Sequence, residues 1–195
     1  FLATMSHEIR TPLGGLLGMM ELLGLSHLNQ MQREILVTAQ DSGASLLRIV
    51  DDVLDWSKIE AGKLELSPKV TTIVEMMMVV KNTYLQLASD KGLLLNLQVD
   101  GKLASAHRFD PLRLSQILNN FVSNAIKFTK QGRIDINAKW LSRTNGQDEI
   151  EFSVKDSGIG IDAAHQARLF ELYEQANADT ARMYGGTGLG LAICR

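Results

Sequence analysis

The segment Ser6-His7-Glu8-Ile9-Arg10-Thr11-Pro12-Leu13 decides the fold of the first part of the chain. It lies inside a pattern of apolar residues in steps of three and four, which predicts one helix over residues 1 to about 25 with a single buried seam. His7 lies two residues from apolar neighbours on either side, so it is predicted to point about 200° away from the seam, toward solvent. The seam residues are Leu2, Met5, Ile9, Leu13, Leu16, Met20 and Leu23.

The polar face of this helix carries a possible reaction centre. Glu8 adjoins His7, and Thr11 follows one turn later on the same face. An exposed imidazole beside a carboxylate is a candidate nucleophile with its own base. A solvent-facing histidine on a helix is also commonly a plain surface residue, and the segment alone leaves both interpretations open. Pro12 lacks an amide hydrogen, so the carbonyl of Glu8 loses its helical partner and a bend is expected there.

A second apolar pattern predicts a second long helix. It follows the polar connection 24–30 and runs from Ile35 to Trp56 in the same steps of three and four, with Gly62 as a C-terminal cap. Two long helices joined by a short loop form an antiparallel hairpin. So wide an apolar face cannot be buried by one hairpin, which favours a homodimer in the form of a four-helix bundle. Packing against the rest of the same chain is the alternative.

Composition excludes several classes of protein. The 195 residues carry a net charge of −2 and show no basic field that would gather nucleic acid. Cys194 is the only cysteine, which rules out an intrachain disulfide and a cysteine metal cluster. No apolar run approaches the ~20 residues needed to span a bilayer. Because the chain lacks an initiating Met and stops just after a glycine motif, we interpret it as a fragment whose parent protein could still be anchored through other segments.

The remainder predicts a mixed α/β domain. Asp110 and Pro111 form a helix start signal, since Asp is a preferred N-cap and Pro is favoured at the first helical position. Residues 64–72 are a linker or a first strand. The other predicted elements are helices over 73–91, 111–128 and 163–172 and strands over 93–99, 133–141 and 149–155, the last two separated by a loop at 144–146.

The helix over 111–128 carries a polar stripe beside its apolar face. Asn120 and Asn124 are four residues apart and point the same way, and Lys127 follows. Two amide oxygens and an ammonium group suit a hydrated magnesium ion and phosphates, because Mg²⁺ prefers oxygen ligands and Lys pairs with phosphate. A polar helix edge without a ligand is the alternative.

Two glycine motifs follow. Asp156-Ser157-Gly158-Ile159-Gly160 comes straight after a strand, where glycines let the backbone approach a flat ligand and the carboxylate can accept from an exocyclic amine such as that of adenine. An ordinary turn begun by Asp is the alternative. Tyr184-Gly185-Gly186-Thr187-Gly188-Leu189-Gly190 opens the last helical pattern, where amide donors can meet phosphate. Its spacing is neither a Walker motif nor a Rossmann fingerprint.

Taken together, these segments resemble the core of sensor histidine kinases, and the stretches 1–13 and 51–66 look most like hybrid sensor kinases. The resemblance covers nearly the whole chain in the family's order: H box at His7, N box at 120–127, G1 at 156–160, F box at 170–173 and G2 at 186–190. It implies a helical dimerisation and histidine phosphotransfer hairpin over 1–66, followed over 67–195 by an ATP-binding α/β sandwich of the GHKL ATPase type that is incomplete at its C-terminus.

The resemblance also implies roles for individual residues. His7 would take the γ-phosphoryl group of ATP, Glu8 would orient the ring or accept its proton, and Thr11 would position water for dephosphorylating a partner. Asn124 would ligate Mg²⁺. The residues implied at the nucleotide are Asn120 and Lys127 near the phosphates, Asp156, Gly158 and Gly160 at the adenine, and Gly186, Gly188 and Gly190 at the phosphate end of a lid over 175–183.

The implied partners are a second copy of the chain and a receiver domain, either fused or separate, whose aspartate accepts the phosphoryl group. The implied location is the cytoplasmic portion of a bacterial inner-membrane sensor. Two other function classes remain open at this point. The N, G1 and G2 motifs are shared with GHKL-type ATPases that form no phosphohistidine, and a dimerising signalling module without catalysis is also possible.

Overall fold

We describe a computed structural model of the chain. It describes residues 2–166, 168–170 and 190–194, and the side chains of residues 2–7 and 164 lie outside the described part. The chain forms two compact units, residues 1–64 and residues 65–195, each of which is treated by itself below.

The first unit is a helical hairpin. Helix α1 (Leu2–Gly24) continues through Pro12, and helix α2 (Gln30–Glu60) begins at a capping box in which the Asn29 side chain accepts from the Gln32 amide and the Gln32 side chain accepts from the Asn29 amide. The ion pair between Arg10 and Asp51 joins the two helices near the open end of the hairpin. Both predicted helices are therefore confirmed.

The predicted seam of the hairpin differs from the buried one. Leu13, Leu36 and Leu54 are buried, whereas Leu16 is 56% exposed and Ile35 is 58% exposed although the periodicity placed both in the seam. The periodicity marks one wide apolar stripe on each helix, and one hairpin covers only part of its width. Further apolar side chains of the hairpin left exposed within the described residues are Ile9, which was also predicted for the seam, and Met19, Leu22, Leu23, Leu25, Met31, Val37, Leu46 and Val53.

The second unit is a two-layer α/β sandwich. Its main sheet has the order β2–β4–β5, with β2 (Leu93–Val99) parallel to β4 (Gly132–Thr144) and β4 antiparallel to β5 (Gln147–Asp156). The short strands β1 (Lys69–Thr71) and β3 (His107–Phe109) form a separate antiparallel pair. Among its described residues the helices are α3 (Ile73–Asp90), α4 (Pro111–Phe128), the single turn α5 (Ala163–Gln166) and α6 (Gly190–Ile193).

The core lies between the helices α3 and α4 and one face of the sheet. Strand residues alternate between this core and solvent, so that Leu93 and Leu95 are buried while Leu94 between them is exposed. The fully buried members include Met77, Leu118, Val122, Ile134 and Ile136. The predicted architecture, a helical hairpin followed by an α/β two-layer sandwich, is confirmed.

Three local predictions need correction. Of the helix predicted over 163–172, the described residues form one helical turn at 163–166 and turn residues at 168–170, while residues 167, 171 and 172 lie outside the described part. The strands predicted at 133–141 and 149–155 continue to a tight turn at Asn145-Gly146. Strand β3 was missed, because three residues are too few to show alternation. None of the helices in the described part of the chain is long and apolar enough to cross a membrane.

Candidate functional site

Helix α4 is the element on which the candidate site is built. Its N-cap Asp110 accepts hydrogen bonds from the amides of Leu112 and Arg113 at 3.0 and 3.1 Å, and from the Ser67 amide at 2.8 Å. These three donors, with Ser67 the largest contribution, hold the pKa of the Asp110 carboxyl below its usual range. The cap thus fixes the start of α4 and ties it to the segment before β1, which confirms the predicted start signal.

The loop after β5 meets the C-terminal end of α4. The Ile159 amide donates to the Phe128 carbonyl at 3.4 Å. The Ser157 hydroxyl accepts from the Arg133 amide at 3.0 Å and so pins the loop to the start of β4. Asp156 is exposed, and its Oδ1 accepts from the Gly158 amide at 2.8 Å in a local Asx turn. The carboxylate is therefore held at the end of β5 beside the end of α4.

Glycine is required at two positions of this loop, for a different structural reason at each. A Cβ on Gly158 would lie 2.6 Å from the Phe128 carbonyl oxygen and 2.7 Å from Asp156 Oδ1, so the loop approaches α4 as closely as it does only because residue 158 has no side chain. Gly160 has open space around it but a φ of +70°, which disfavours residues with a side chain. Both positions require glycine even before any ligand is considered.

Gly190, the last glycine of the second motif, contacts α4 at Asn120, nearer the N-terminus of the helix. Asn120 Nδ2 donates to the Gly190 carbonyl at 3.2 Å and to Cys194 Sγ at 3.6 Å, while Cys194 Sγ donates to the Gly190 carbonyl at 3.1 Å. A Cβ on Gly190 would lie 2.9 Å from Asn120 Oδ1. Asn120 therefore anchors the start of α6, a role that its sequence motif did not suggest.

Asn124 and Lys127 complete the polar stripe of α4. Both are half-buried, and the Lys127 ammonium lies 4.9 Å from the centre of the Phe128 ring. At the turn after α4, Thr129 is 1% exposed, and its hydroxyl has no hydrogen-bond partner within the described part of the chain. The N-box stripe, the Asp156 loop and Gly190 are thus brought together on one helix.

Some predicted residues lie outside what the structure describes. These are Gly186, Gly188, the second F-box residue Tyr173, the predicted lid over 175–183 and the side chain of His7. His7 itself is in α1, and the side chains of Glu8 and Thr11 on the same helix are exposed.

Sequence reasoning missed the residues that hold this arrangement in place. Ser157 stood between two motif residues, and Cys194 was considered only for disulfides and metal clusters. Their contacts join residues 24 and 74 positions apart. Residue spacing relates positions within one helix or strand, so it could not identify contacts between separate elements.

Two family models match the chain. The first, the His Kinase A (phospho-acceptor) domain, matches residues 1–62. The second, described as the histidine kinase-, DNA gyrase B- and HSP90-like ATPase, matches residues 109–195. The presence of the first model argues against the alternative of a GHKL-type ATPase without a phosphohistidine domain.

Curated relatives and solved structures agree with these matches. The chain is 44% identical to the signal transduction histidine-protein kinase BarA of Escherichia coli K12, over 99% of the chain and 21% of BarA. It is 41% identical to hybrid signal transduction histidine kinase B of Dictyostelium discoideum, over 100% of the chain and 10% of that protein. The crystal structure of full-length ShkA in complex with AMPPNP matches with a TM-score of 0.76 and 38% identity, over 99% of this chain and 39% of ShkA.

The chain spans about a fifth or less of the curated relatives named above. Within that span it carries a histidine phosphoacceptor domain followed by an ATP-binding domain of the GHKL type. The chain therefore belongs to the sensor histidine kinases, and its relatives include hybrid members of that family.

Proposed function

We propose that the chain transfers the γ-phosphoryl group of Mg-ATP to His7 and then passes it to an aspartate of a receiver domain. The observation that carries this proposal is the convergence of Asn120, Asp156 and Gly190 on α4, in a chain whose first helix contains His7-Glu8. We assign residues 1–66 to dimerisation and phosphotransfer and residues 67–195 to ATP binding.

In the first reaction a ring nitrogen of neutral His7 attacks the γ-phosphorus, the bond to the β-phosphate oxygen breaks, and ADP leaves. An unperturbed imidazole, with a pKa of about 6.5, is mostly neutral at pH 7. Glu8, the next residue on an exposed face, takes the proton that the ring loses or fixes its tautomer. Because phosphoryl transfer depends mainly on alignment and charge stabilisation, residues that hold the phosphates contribute most of the rest.

The residues present fit a magnesium ion held through the nucleotide. Asn124 offers an amide oxygen on the half-buried stripe of α4, and Mg²⁺ accepts such a ligand while keeping several waters and phosphate oxygens. No cluster of three His, Cys, Asp or Glu side chains in the described residues could hold a metal by itself. Bound magnesium would neutralise phosphate charge. Lys127 and Asn120 would lie near the phosphates, and Asp156, Gly158 and Gly160 would lie at the adenine.

A homodimer is supported by the apolar surface that α1 and α2 leave exposed. Leu16, Ile35 and Leu46 are each about half or more exposed on a hairpin of two helices. A second copy would bury these side chains in a four-helix bundle.

The transfer partner is a receiver domain. Thr11 lies one turn after His7 on the same predicted face, and its side chain is exposed, so we assign to it the positioning of water when the receiver is dephosphorylated. Placement in the cytoplasmic portion of an inner-membrane sensor remains a prediction from the family resemblance, which fractionation of cells that carry the parent protein would check.

Incubation with ATP labelled on the γ-phosphate tests the proposal. We expect an acid-labile label on the protein that is lost in His7→Gln and kept in the matched control His27→Gln, which changes an exposed histidine elsewhere in the same hairpin. Label that persists in His7→Gln would refute His7 as the acceptor. If the unaltered chain binds nucleotide but takes up no label, a non-catalytic module would be favoured instead.

A further inference from the structure

Ser157 is fixed to the start of β4 by its side chain as well as by its backbone. Its amide donates to the Arg133 carbonyl at 3.2 Å, which continues the pairing of β5 with β4. Its hydroxyl accepts from the Arg133 amide at 3.0 Å and has the carbonyls of Gln131 and Arg133 as acceptors at 3.2 and 3.3 Å. Because a hydroxyl supplies one hydrogen and two lone pairs, this one side chain bridges the backbone on both sides of Gly132.

Gly132 provides the space for this bridge. A Cβ at this position would overlap Ser157 Oγ, and the φ of +113° lies where residues with a side chain are rare. A serine that was only a polar surface residue would not need a neighbouring glycine to admit its hydroxyl. Although residue 157 is exposed overall, its Oγ is therefore seated against the backbone of β4.

The Asp156 carboxylate lies between two such anchors. Ser157 holds the loop to β4 on one side, and on the other side Gly158 lies against the Phe128 carbonyl of α4. Asp156 Oδ1 accepts from the Gly158 amide at 2.8 Å, which orients the carboxylate and leaves Oδ2 to accept from an exocyclic amine. Since a hydrogen bond weakens steeply when donor and acceptor are misaligned, the anchors decide how well Asp156 recognises a base.

We propose that Ser157 is a positioning residue for the adenine base: its hydroxyl bridge around Gly132 holds the Asp156 carboxylate in line with the exocyclic amine of the bound nucleotide. This inference rests on the proposed function, which assigns Asp156 to the adenine. Ser157 acts through Asp156, so its removal should alter the selection of the base more than the stability of the domain. Arg133 is exposed, and water can replace the acceptor that its amide would lose.

The ratio of the dissociation constants for inosine diphosphate and ADP measures this selection, because inosine carries a carbonyl oxygen where adenine carries its amine. Calorimetric titration in the presence of Mg²⁺ gives both constants. The unaltered chain should bind ADP at least about tenfold more tightly, since inosine loses a hydrogen bond to a charged group. In Ser157→Ala the ratio should fall to about twofold, mainly through weaker binding of ADP, whereas Ser157→Thr keeps the hydroxyl and should keep the ratio.

The matched control is Ser153→Ala, which removes another serine hydroxyl from β5. Ser153 Oγ accepts from Asn137 Nδ2 at 3.4 Å, away from the Asp156 loop, and its loss should leave the ratio unchanged. Thermal melting of every variant separates a loss of selection from a loss of folding. If Ser157→Ala does not fold, Ser157→Cys takes its place, because it keeps the size of the side chain and weakens the acceptor.

The outcomes for the inference and for the proposed function differ. An unaltered chain that binds the two nucleotides equally would contradict the assignment of adenine to Asp156, and with it both the proposed function and the role of Ser157. An unaltered chain that prefers ADP would leave that assignment in place. The role of Ser157 alone would then be overturned if Ser157→Ala kept the preference or weakened both nucleotides by the same factor, or if Ser157→Thr behaved like Ser157→Ala.

Discussion

Gly158→Ala is the substitution that tests the architecture of the candidate site most sharply. The added Cβ would lie 2.6 Å from the Phe128 carbonyl oxygen and 3.0 Å from its carbon, and both atoms are backbone. Relief therefore requires the Asp156 loop to move away from α4. Forcing a methyl group into such a contact costs about 1–3 kcal/mol, which lowers the melting temperature by about 4 °C for each kcal/mol in a domain of this size.

The same movement displaces the Asp156 carboxylate, so we expect the dissociation constant for AMPPNP to rise at least about tenfold. Calorimetric titration and thermal melting of the same preparations measure both effects. The matched control is Gly101→Ala, which lies in an exposed turn with no atom within 4 Å of the added Cβ and should change stability by less than about 0.5 kcal/mol. A Gly158→Ala variant that melts and binds as the parent does would refute the close approach of loop and helix.

Three further predictions concern stability. Gly14→Ala should stabilise the hairpin by about 1 kcal/mol, because its Cβ would meet nothing on an exposed helix, whereas Gly43→Ala should stabilise it less, because its Cβ would lie 2.8 Å from Leu17 Cδ2 and this side-chain end would have to shift; thermal melting compares the two. Asp110→Ala should cost about 1 kcal/mol in urea unfolding through loss of the α4 cap. Folding lowers the pKa of Asp148, mainly through hydrogen bonds from Arg143, His107 and Trp140. The free energy of unfolding lost in Asp148→Asn should therefore be constant above the unfolded pKa of 3.8 and become smaller as the pH falls below that value. A loss that instead grows toward acid pH would contradict this sign.

How far the sequence predicted the fold depended on the length of each pattern. Helices α1, α2 and α4 have many turns and clear end signals, and Asp110 with Pro111 marked the start of α4 to the residue. Strand β3 has three residues and could not be recognised. The seam of the hairpin was assigned by periodicity, which marks every apolar face but does not say which part of it the partner helix covers and which part stays open.

The candidate site shows the same limit. Local motifs identified Asn120, Asp156 and Gly158 because the spacing of polar residues and glycines is visible within one segment. The contact of Asn120 with Gly190, 70 residues later, and that of His107 with Asp148 join separate elements. Such contacts follow from tertiary packing, so their chemistry became apparent only with the structure.

The central claim is that His7 receives the terminal phosphoryl group of the nucleotide held on α4. The most direct measurement is site mapping of the phosphoryl group by tandem mass spectrometry, after reaction of the chain with Mg-ATP and digestion under alkaline conditions that preserve phosphoramidates. Our account predicts a phosphoramidate at His7 and none at His27, His107 or His165. A modification at another residue, or none in a chain that demonstrably binds Mg-ATP, would contradict it.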